Sequence, residues 1–373
     1  MKIIKLATAL PKCDYPTERL LEAFPCKLPE GVIQNIINLG VSKRYLINHV
    51  KSKKPMNEDA FIELCSEACR KTMEKTNIQV NEIGYFIAAY DVNPLLSPGL
   101  SQVLVRNVGF DPYIKHVNVQ GVASTAFPKA LELARDHLAL HPQDYVLICV
   151  SGISSFWFQN QVRNLRNVME ISQIGQIKDE TRRRMELQRW MATMEFFLFG
   201  DGVATCIVAN DGEEGVAVEK IVEVTNVEKK DYLVGCSRLT ASNQPFKFGF
   251  YSHLDKKIPE LGVKYTRLAL ERLLDKNTEK ITKTAKKWVV HTGSEKILNA
   301  LAENNGLSRE KLRESREILK EYGNLAGASL PFILEKVISK DKLRAGDFIL
   351  MVGYGWGFSA AAALLEYQKS SEK

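Results

Sequence analysis

No run of this sequence reaches the roughly 18 consecutive apolar residues that a membrane-spanning helix requires, so no span is expected. Met1-Lys2-Ile3-Ile4-Lys5-Leu6 lacks the apolar core and the small-residue cleavage site of a signal peptide. The seven cysteines (13, 26, 65, 69, 149, 206 and 236) are odd in number, scattered and mostly set in apolar runs. That pattern argues against a disulfide framework and for buried thiols in a reducing cytoplasm. Cys65 and Cys69 lie one helical turn apart, but no second pair or nearby His completes a metal site, so no metal is expected. The basic residues are dispersed and form no aromatic-basic platform of the kind that binds single strands, which argues against nucleic acid. Nor does a Pro-, Gly- or Ser-rich linker divide the chain.

What is present is an ordinary globular composition, 45% hydrophobic and 25% charged in 373 residues. A net charge of +7 and a pI near 8.9 favour an anionic partner. A phosphorylated small molecule or an acidic carrier protein suits so moderate an excess. A solvated basic surface with no charged partner is the plainer alternative.

Continuous apolar segments predict strands at Lys2–Leu10, Ile83–Tyr90, Ile114–Val119, Tyr145–Ser151, Val203–Ala209, Val216–Val224, Tyr232–Cys236, Lys287–His291, Phe348–Val352 and Ser359–Glu366. Amphipathic helices fall between them, one capped by Asn57 and running to about Lys75. The alternation predicts an α/β protein with parallel sheets covered on both faces. The order of elements repeats, which suggests an internal duplication with halves at 1–212 and 213–373. The segment from Gly152 to Phe197 interrupts the rhythm with Phe156, Trp157 and Phe158 and with a helix carrying Arg182, Arg183, Arg184 and Arg189.

Three residues sit where a strand or turn would aim them. Ser124 follows the strand end Gln120-Gly121 and opens a helix, so a group it holds would face the helix's positive end. On its own it reads as a helix cap more readily than as a nucleophile. His291 ends an apolar strand and breaks at Thr292-Gly293; alone it reads as a satisfied core histidine. About thirty residues on, Glu321-Tyr322-Gly323-Asn324 precedes an Ala/Gly-rich amphipathic run, and Asn324 alone is a turn residue.

Taken together the motifs resemble the thiolase superfamily, in its ketoacyl synthase III and type III polyketide (chalcone synthase-like) branch. The helix from Ser124 to Leu131 is similar to the one headed by that family's catalytic cysteine. His291-Thr292-Gly293 resembles its His-Pro-Gly, Tyr322-Gly323-Asn324 its Tyr-Gly-Asn, and Phe199-Gly200-Asp201-Gly202 its Phe-Gly-Asp-Gly. Gly353-Tyr354-Gly355-Trp356-Gly357 resembles its glycine-rich loop, and Gly40 to Tyr45 its early signature. The matches run in the family's order from about residue 1 to 367.

The resemblance implies a duplicated, five-layered α/β/α/β/α thiolase fold, a homodimer, and decarboxylative condensation of acyl thioesters. Coenzyme A thioesters, or those of an acyl carrier protein, would be substrates, with no tightly bound cofactor. His291 and Asn324 would donate to the enolate oxygen, and the backbone N–H groups of Ser124 and Trp356 would form the hole for the acyl oxygen. Trp356 keeps an N–H that a proline there would lack. Lys43 and Arg44 are weaker candidates for coenzyme A phosphates. The Gly152–Phe197 segment, longer than the branch leads one to expect, would lie over the acyl tunnel and the dimer interface.

The departure is Ser124 in the cysteine's place; a two-residue shift of register would put Val122 there. A hydroxyl gains little from a helix dipole and needs a general base. Three readings stay open: a native serine nucleophile, a non-catalytic subunit paired with an active synthase, and an engineered replacement of a native cysteine.

Overall fold

The computed structural model describes residues 1–50, 52, 57–91, 97–210, 212, 214–231, 234–239, 250–254, 257–275 and 278–369. Nine strands form one mixed sheet: β1 (Lys2–Ala9), β2 (Ile83–Tyr90), β3 (Lys115–Gln120), β4 (Tyr145–Gly152), β5 (Gly202–Ala209), β6 (Gly215–Thr225), β7 (Lys287–Val290), β8 (Phe348–Gly355) and β9 (Ser359–Gln368). Their order across the sheet is β7-β8-β9-β6-β1-β5-β4-β2-β3. The helices that matter here are α1 (Glu58–Glu74), α2 (Leu100–Val108), α3 (Ala126–Leu140), α4 (Ser155–Val162), α5 (Glu180–Leu198), α6 (Ile258–Leu274), α7 (Glu295–Asn304), α8 (Arg313–Tyr322) and α9 (Ser329–Lys340).

Side-chain alternation builds the layers. In β4, Val146, Ile148 and Val150 face a central core with α3 and α9, while Leu147 and Cys149 face an outer core with α1 and α2. In β8, Ile349 and Met351 face the same central core, and Leu350, Val352 and Tyr354 an outer one with α6 and α7. Both faces are apolar because both are covered, which is why these strands read as unbroken hydrophobic runs. The result is five layers: helices, half-sheet, the buried pair α3 and α9, half-sheet, helices. The half-sheets meet through a short antiparallel contact, Lys2 with Ala217 and Ile3 with Val216.

The expectation of parallel sheets is corrected. Within this sheet β2–β3, β2–β4 and β7–β8 are parallel and the other described pairings are antiparallel. A three-residue turn joins β8 to β9 and can return the chain only antiparallel, whereas parallel neighbours need a crossover. Part of the expected strand Tyr232–Cys236 lies outside the described residues; Gly235–Leu239 pairs with Phe250–Leu254 in a separate ribbon.

The two halves repeat each other strand by strand. In β1-β5-β4-β2 the successive pairings are antiparallel, antiparallel and parallel, and β6-β9-β8-β7 runs the same way. The central helices α3 and α9 are each preceded by a single 3₁₀ turn, Ala123–Thr125 and Ala326–Ala328. Both turns open on an alanine of positive φ, +46° at Ala123 and +48° at Ala326.

Candidate active site

Parallel strands deliver their C-terminal ends to one side of the sheet, and the candidate residues stand just beyond those ends. β3 stops at Gln120, and the chain turns through Gly121 into the 3₁₀ turn that carries Ser124. β7 stops at Val290, and the backbone N–H of His291 still bonds to Val352 O of β8 at 3.0 Å. Ser124 Oγ and His291 Nε2 are thereby 2.9 Å apart, although 167 residues separate them in sequence. Both are buried, 6% and 3% exposed.

The imidazole is clamped from one side. Tyr354 OH donates to the His291 carbonyl at 3.0 Å and accepts from Gly293 N–H at 3.2 Å, and the two rings meet edge to face at 5.1 Å. Burial pushes the His291 pKa down to about 3, so the ring is neutral. Its Nδ1 is buried with no hydrogen-bond partner among the described residues. No carboxylate therefore fixes its tautomer, unlike the aspartate of a serine–histidine–aspartate triad.

The glycine loop lies flat against the Ser124 backbone. A Cβ on Gly353 would stand 2.6 Å from Ser124 O, and one on Gly355 would stand 2.8 Å from Ala123 Cβ and 3.3 Å from Ser124 N. A side chain there would have to displace the Ser124 backbone. Trp356 follows directly in the turn 356–358.

Asn324 enters by a separate route. Its N–H bonds to Leu198 O at 2.9 Å and its carbonyl accepts from Gly200 N–H at 3.1 Å, so the end of α5 and the loop after it hold the residue. Its Oδ1 accepts from Ala326 N–H at 2.8 Å, which orients the carboxamide and leaves Nδ2 as its donor. Ser329 then ties the end of β7 to the turn that carries Asn324. Its Oγ accepts from Leu325 N–H at 3.1 Å and from the Thr292 hydroxyl at 2.9 Å. The sequence shows Thr292 only as part of the break after His291 and Ser329 not at all, because each gains its role from a partner 37 residues away.

Asp201, of the Phe-Gly-Asp-Gly motif, is an organiser. Its carboxylate accepts from Ile47 N–H at 2.8 Å, Ser154 N–H at 3.1 Å, Ser155 N–H at 3.0 Å and the Ser155 hydroxyl. That knot fixes the start of α4 beside the loop that pairs with Asn324. The rest of the 152–197 segment, α4 and α5 with their aromatics, packs on Phe199 and Ala326 as a wall next to Asn324. Arg182, Arg183 and Arg184 are exposed on α5, while Arg189 pairs with Glu186 at 2.8 Å.

The basic pair is corrected in part. Arg44 is fully buried, donating to Thr17 Oγ1 at 3.0 Å with its Cβ side against Gly200. Burial pulls its pKa down to about 9. A guanidinium inside the protein cannot meet a phosphate at the surface. Lys43 is only partly covered, and its Nζ reaches Tyr45 OH at 3.2 Å.

With this geometry in hand, comparison with known proteins gives a consistent picture. The C-terminal region of 3-oxoacyl-[acyl-carrier-protein (ACP)] synthase III matches residues 277–367. The chain is 30% identical to a beta-ketoacyl-[acyl-carrier-protein] synthase III of Clostridium perfringens (strain SM101 / Type A), over 98% of each protein. It is 27% identical to a 3,5-dihydroxyphenylacetyl-CoA synthase of Amycolatopsis orientalis, over 73% of this chain and 65% of that one, just under two thirds of the relative's length. Its fold matches the crystal structure of 1,3,6,8-tetrahydroxynaphthalene synthase from Streptomyces coelicolor A3(2), a bacterial type III polyketide synthase. The TM-score is 0.80 at 20% identity, covering 99% of this chain and 100% of the other, and the shared architecture is the thiolase fold.

Proposed function

The chain belongs to the beta-ketoacyl-[acyl-carrier-protein] synthase III family, and on that footing we propose that it is a decarboxylating condensing enzyme of fatty acid or polyketide-type biosynthesis. It takes an acyl group from a coenzyme A or carrier-protein thioester onto Ser124. It then removes CO₂ from a malonyl-type thioester, and the resulting enolate attacks the held acyl group. The C–C bond forms and the serine ester breaks, while a proton from water by way of His291 returns to the Ser124 oxygen.

The observation that carries this reading is the 2.9 Å contact between Ser124 Oγ and His291 Nε2. A serine hydroxyl needs a base to attack a thioester, and a neutral imidazole at hydrogen-bond distance is one. Burial disfavours the imidazolium, so His291 holds the proton only in passing. It receives it as the tetrahedral adduct forms and gives it to the departing thiolate. The N–H groups of Ser124 and Trp356 receive the acyl oxygen.

Condensation then uses the ring in its other sense. With no partner at Nδ1, the tautomer is not locked, so the same Nε2 accepts in acyl transfer and donates during decarboxylation. His291 Nε2–H and Asn324 Nδ2–H together meet the enolate oxygen. Two neutral donors in a buried site stabilise developing negative charge without a permanent ion to desolvate.

Lys43 remains the candidate for a coenzyme A phosphate, and the exposed arginines of α5 suit an acidic carrier. We place the enzyme in the cytoplasm as a homodimer, with thioesters as substrates rather than a resident cofactor. Strand β3, at one end of the sheet, leaves an edge for a second copy.

The test is intact-protein mass after incubation with short and long acyl-CoAs, on this chain and on Ser124→Cys. An acyl adduct mapping to Ser124 is expected. Labelling of the cysteine variant alone would mean that the serine does not serve as nucleophile, and labelling of neither would sink the covalent reading.

A further inference from the structure

One half-buried carboxyl at the same end of the strands is left unused by these steps. Asp91 stands one residue past β2, whose last residue Tyr90 pairs with Gln120 of β3 and Ser151 of β4. In the repeated half, β7 holds the place of β2, and the residue after β7 is His291. Asp91 and His291 thus occupy matching positions in the two halves. The match extends to their partners. His291 reaches the first central turn, at Ser124, and Asp91 Oδ2 accepts from Gly327 N–H of the second at 3.3 Å.

Those two turns touch. A Cβ on Gly327 would lie 3.1 Å from Ala126 Cβ and 3.4 Å from Ala123 O, against the chain on either side of Ser124. Consecutive amides of the second turn are held by consecutive pieces of the site, Ala326 N–H by Asn324 Oδ1 and Gly327 N–H by Asp91 Oδ2. Among the described residues no Lys, Arg or His forms an ion pair with Asp91. Burial pushes its pKa up to about 6, only partly offset by the Gly327 N–H. Among the described residues this carboxylate accepts one long hydrogen bond, from the turn whose preceding amide binds Asn324 Oδ1, and an under-compensated carboxylate so placed has the chemistry of a base for a carbon acid.

We infer that Asp91 is a proton-transfer group of this site, and that it lets the enzyme form an enolate from an acyl thioester with no carboxylate to lose. This rests on the roles of His291 and Asn324 proposed above. The Asp91 carboxylate takes a proton from the α-carbon, and the C–H electron pair moves into the enolate held by His291 and Asn324. The enolate carbon attacks the acyl group on Ser124, forming the C–C bond and breaking the serine ester. The proton first taken by Asp91 balances the released Ser124 oxygen, reaching it through His291 or water. Nothing is oxidised or reduced, and no co-reactant is needed. The substrate class is a plain acetyl- or alkanoyl-thioester, which widens the extender beyond malonyl.

The experiment incubates acetyl-CoA with the full chain in D₂O and follows deuterium at the acetyl methyl by mass spectrometry. A parallel assay follows CO₂ release from malonyl-CoA, which needs the enolate donors but no α-proton base. The chain is expected to exchange the methyl protons. In Asp91→Asn the ratio of exchange to decarboxylation should fall about 100-fold, the scale of a lost general base. Asp91→Glu, which keeps a carboxylate, should restore part of that ratio. An unchanged ratio in Asp91→Asn, or no exchange by a chain that decarboxylates malonyl-CoA, overturns the inference while leaving the condensing function intact. A chain that does neither overturns both.

Discussion

The Thr292 hydroxyl donates to Ser329 Oγ at 2.9 Å, and through that bond the residue after His291 is tied to the helix that follows Asn324. Both side chains are fully buried. The same Ser329 oxygen accepts from Leu325 N–H, so a single atom registers the strand end carrying the imidazole against the turn carrying the carboxamide. In the proposed mechanism His291 and Asn324 donate to one enolate oxygen and must keep a fixed separation, and this bond is a direct constraint on it.

Ser329→Ala should therefore loosen both donors at once. It leaves Leu325 N–H and the Thr292 hydroxyl without their acceptor in the interior, which costs about 1–3 kcal/mol for a buried group left unpaired. Urea unfolding should show that loss, and CO₂ release from malonyl-CoA should fall. Thr292→Val keeps the Leu325–Ser329 bond and should cost less. Equal stability and turnover in wild type and Ser329→Ala would refute the role.

The glycine loop makes a second prediction. In Gly355→Ala the new methyl would press on Ala123 Cβ and lie close to Ser124 N, and in Gly353→Ala it would press on Ser124 O. Overpacking of this sort costs about 1–3 kcal/mol, and the backbone that yields is the one presenting Ser124, the proposed nucleophile. Each variant should acylate Ser124 more slowly in the mass assay while the fold persists by circular dichroism.

Arg44 tests the boundary between surface and interior. Among the described residues its Nε and Nη1 are buried without hydrogen-bond partners, so the charge is poorly compensated where it lies. Arg44→Met should leave the KM for acyl-CoA unchanged. Its unfolding free energy should stay within about 1 kcal/mol of wild type or rise, because a methionine gives up one hydrogen bond but also the desolvation of a cation. Lys43→Ala, by contrast, should raise KM. A KM raised by Arg44→Met would return that residue to the phosphate site.

The sequence made much of this legible, and what it hid has a common cause. Ser124, His291 and Asn324 each mark the point where a strand or turn ends beside a helix, and such ends are written locally in apolar runs and glycines. The covering of the sheet was legible too, since Val146 to Val150 of β4 is apolar at every position. Strand direction was not, because a continuous apolar run suits any doubly covered strand, parallel or not. Asp91, Thr292 and Ser329 were silent because each acts through a partner brought close only by the fold, 236 residues away in the case of Asp91 and Gly327. Arg44 misled for the opposite reason: a basic pair in a polar stretch looks like surface, and it is the fold that packs it against Thr17 and the Gly200 loop.

His291 supplies a prediction with a definite sign. Its folded pKa, pushed down to about 3 by burial, lies below the value near 6.5 it has in the unfolded chain. The unfolded state therefore binds more protons between those two values, so the stability tied to the neutral ring is full above pH 6.5 and is lost as pH falls through that window. Between pH 7 and pH 5 the loss amounts to about 2 kcal/mol for one such group. Asp91 and Asp201, both held near 6 by burial, titrate in the same range with the opposite sign. They do so equally in a His291→Gln variant and cancel in the difference. Unfolding free energies measured at both pH values should thus fall by about 2 kcal/mol more in wild type than in His291→Gln. Acylation of Ser124 should lack any inflection near pH 6.5 from this ring, since an imidazole already neutral at pH 5 has no proton to lose. A histidine titration at 6 to 7 in the acylation rate, with no difference in stability between the two proteins, would mean that His291 is solvated in solution and that a buried neutral base is the wrong description of this site.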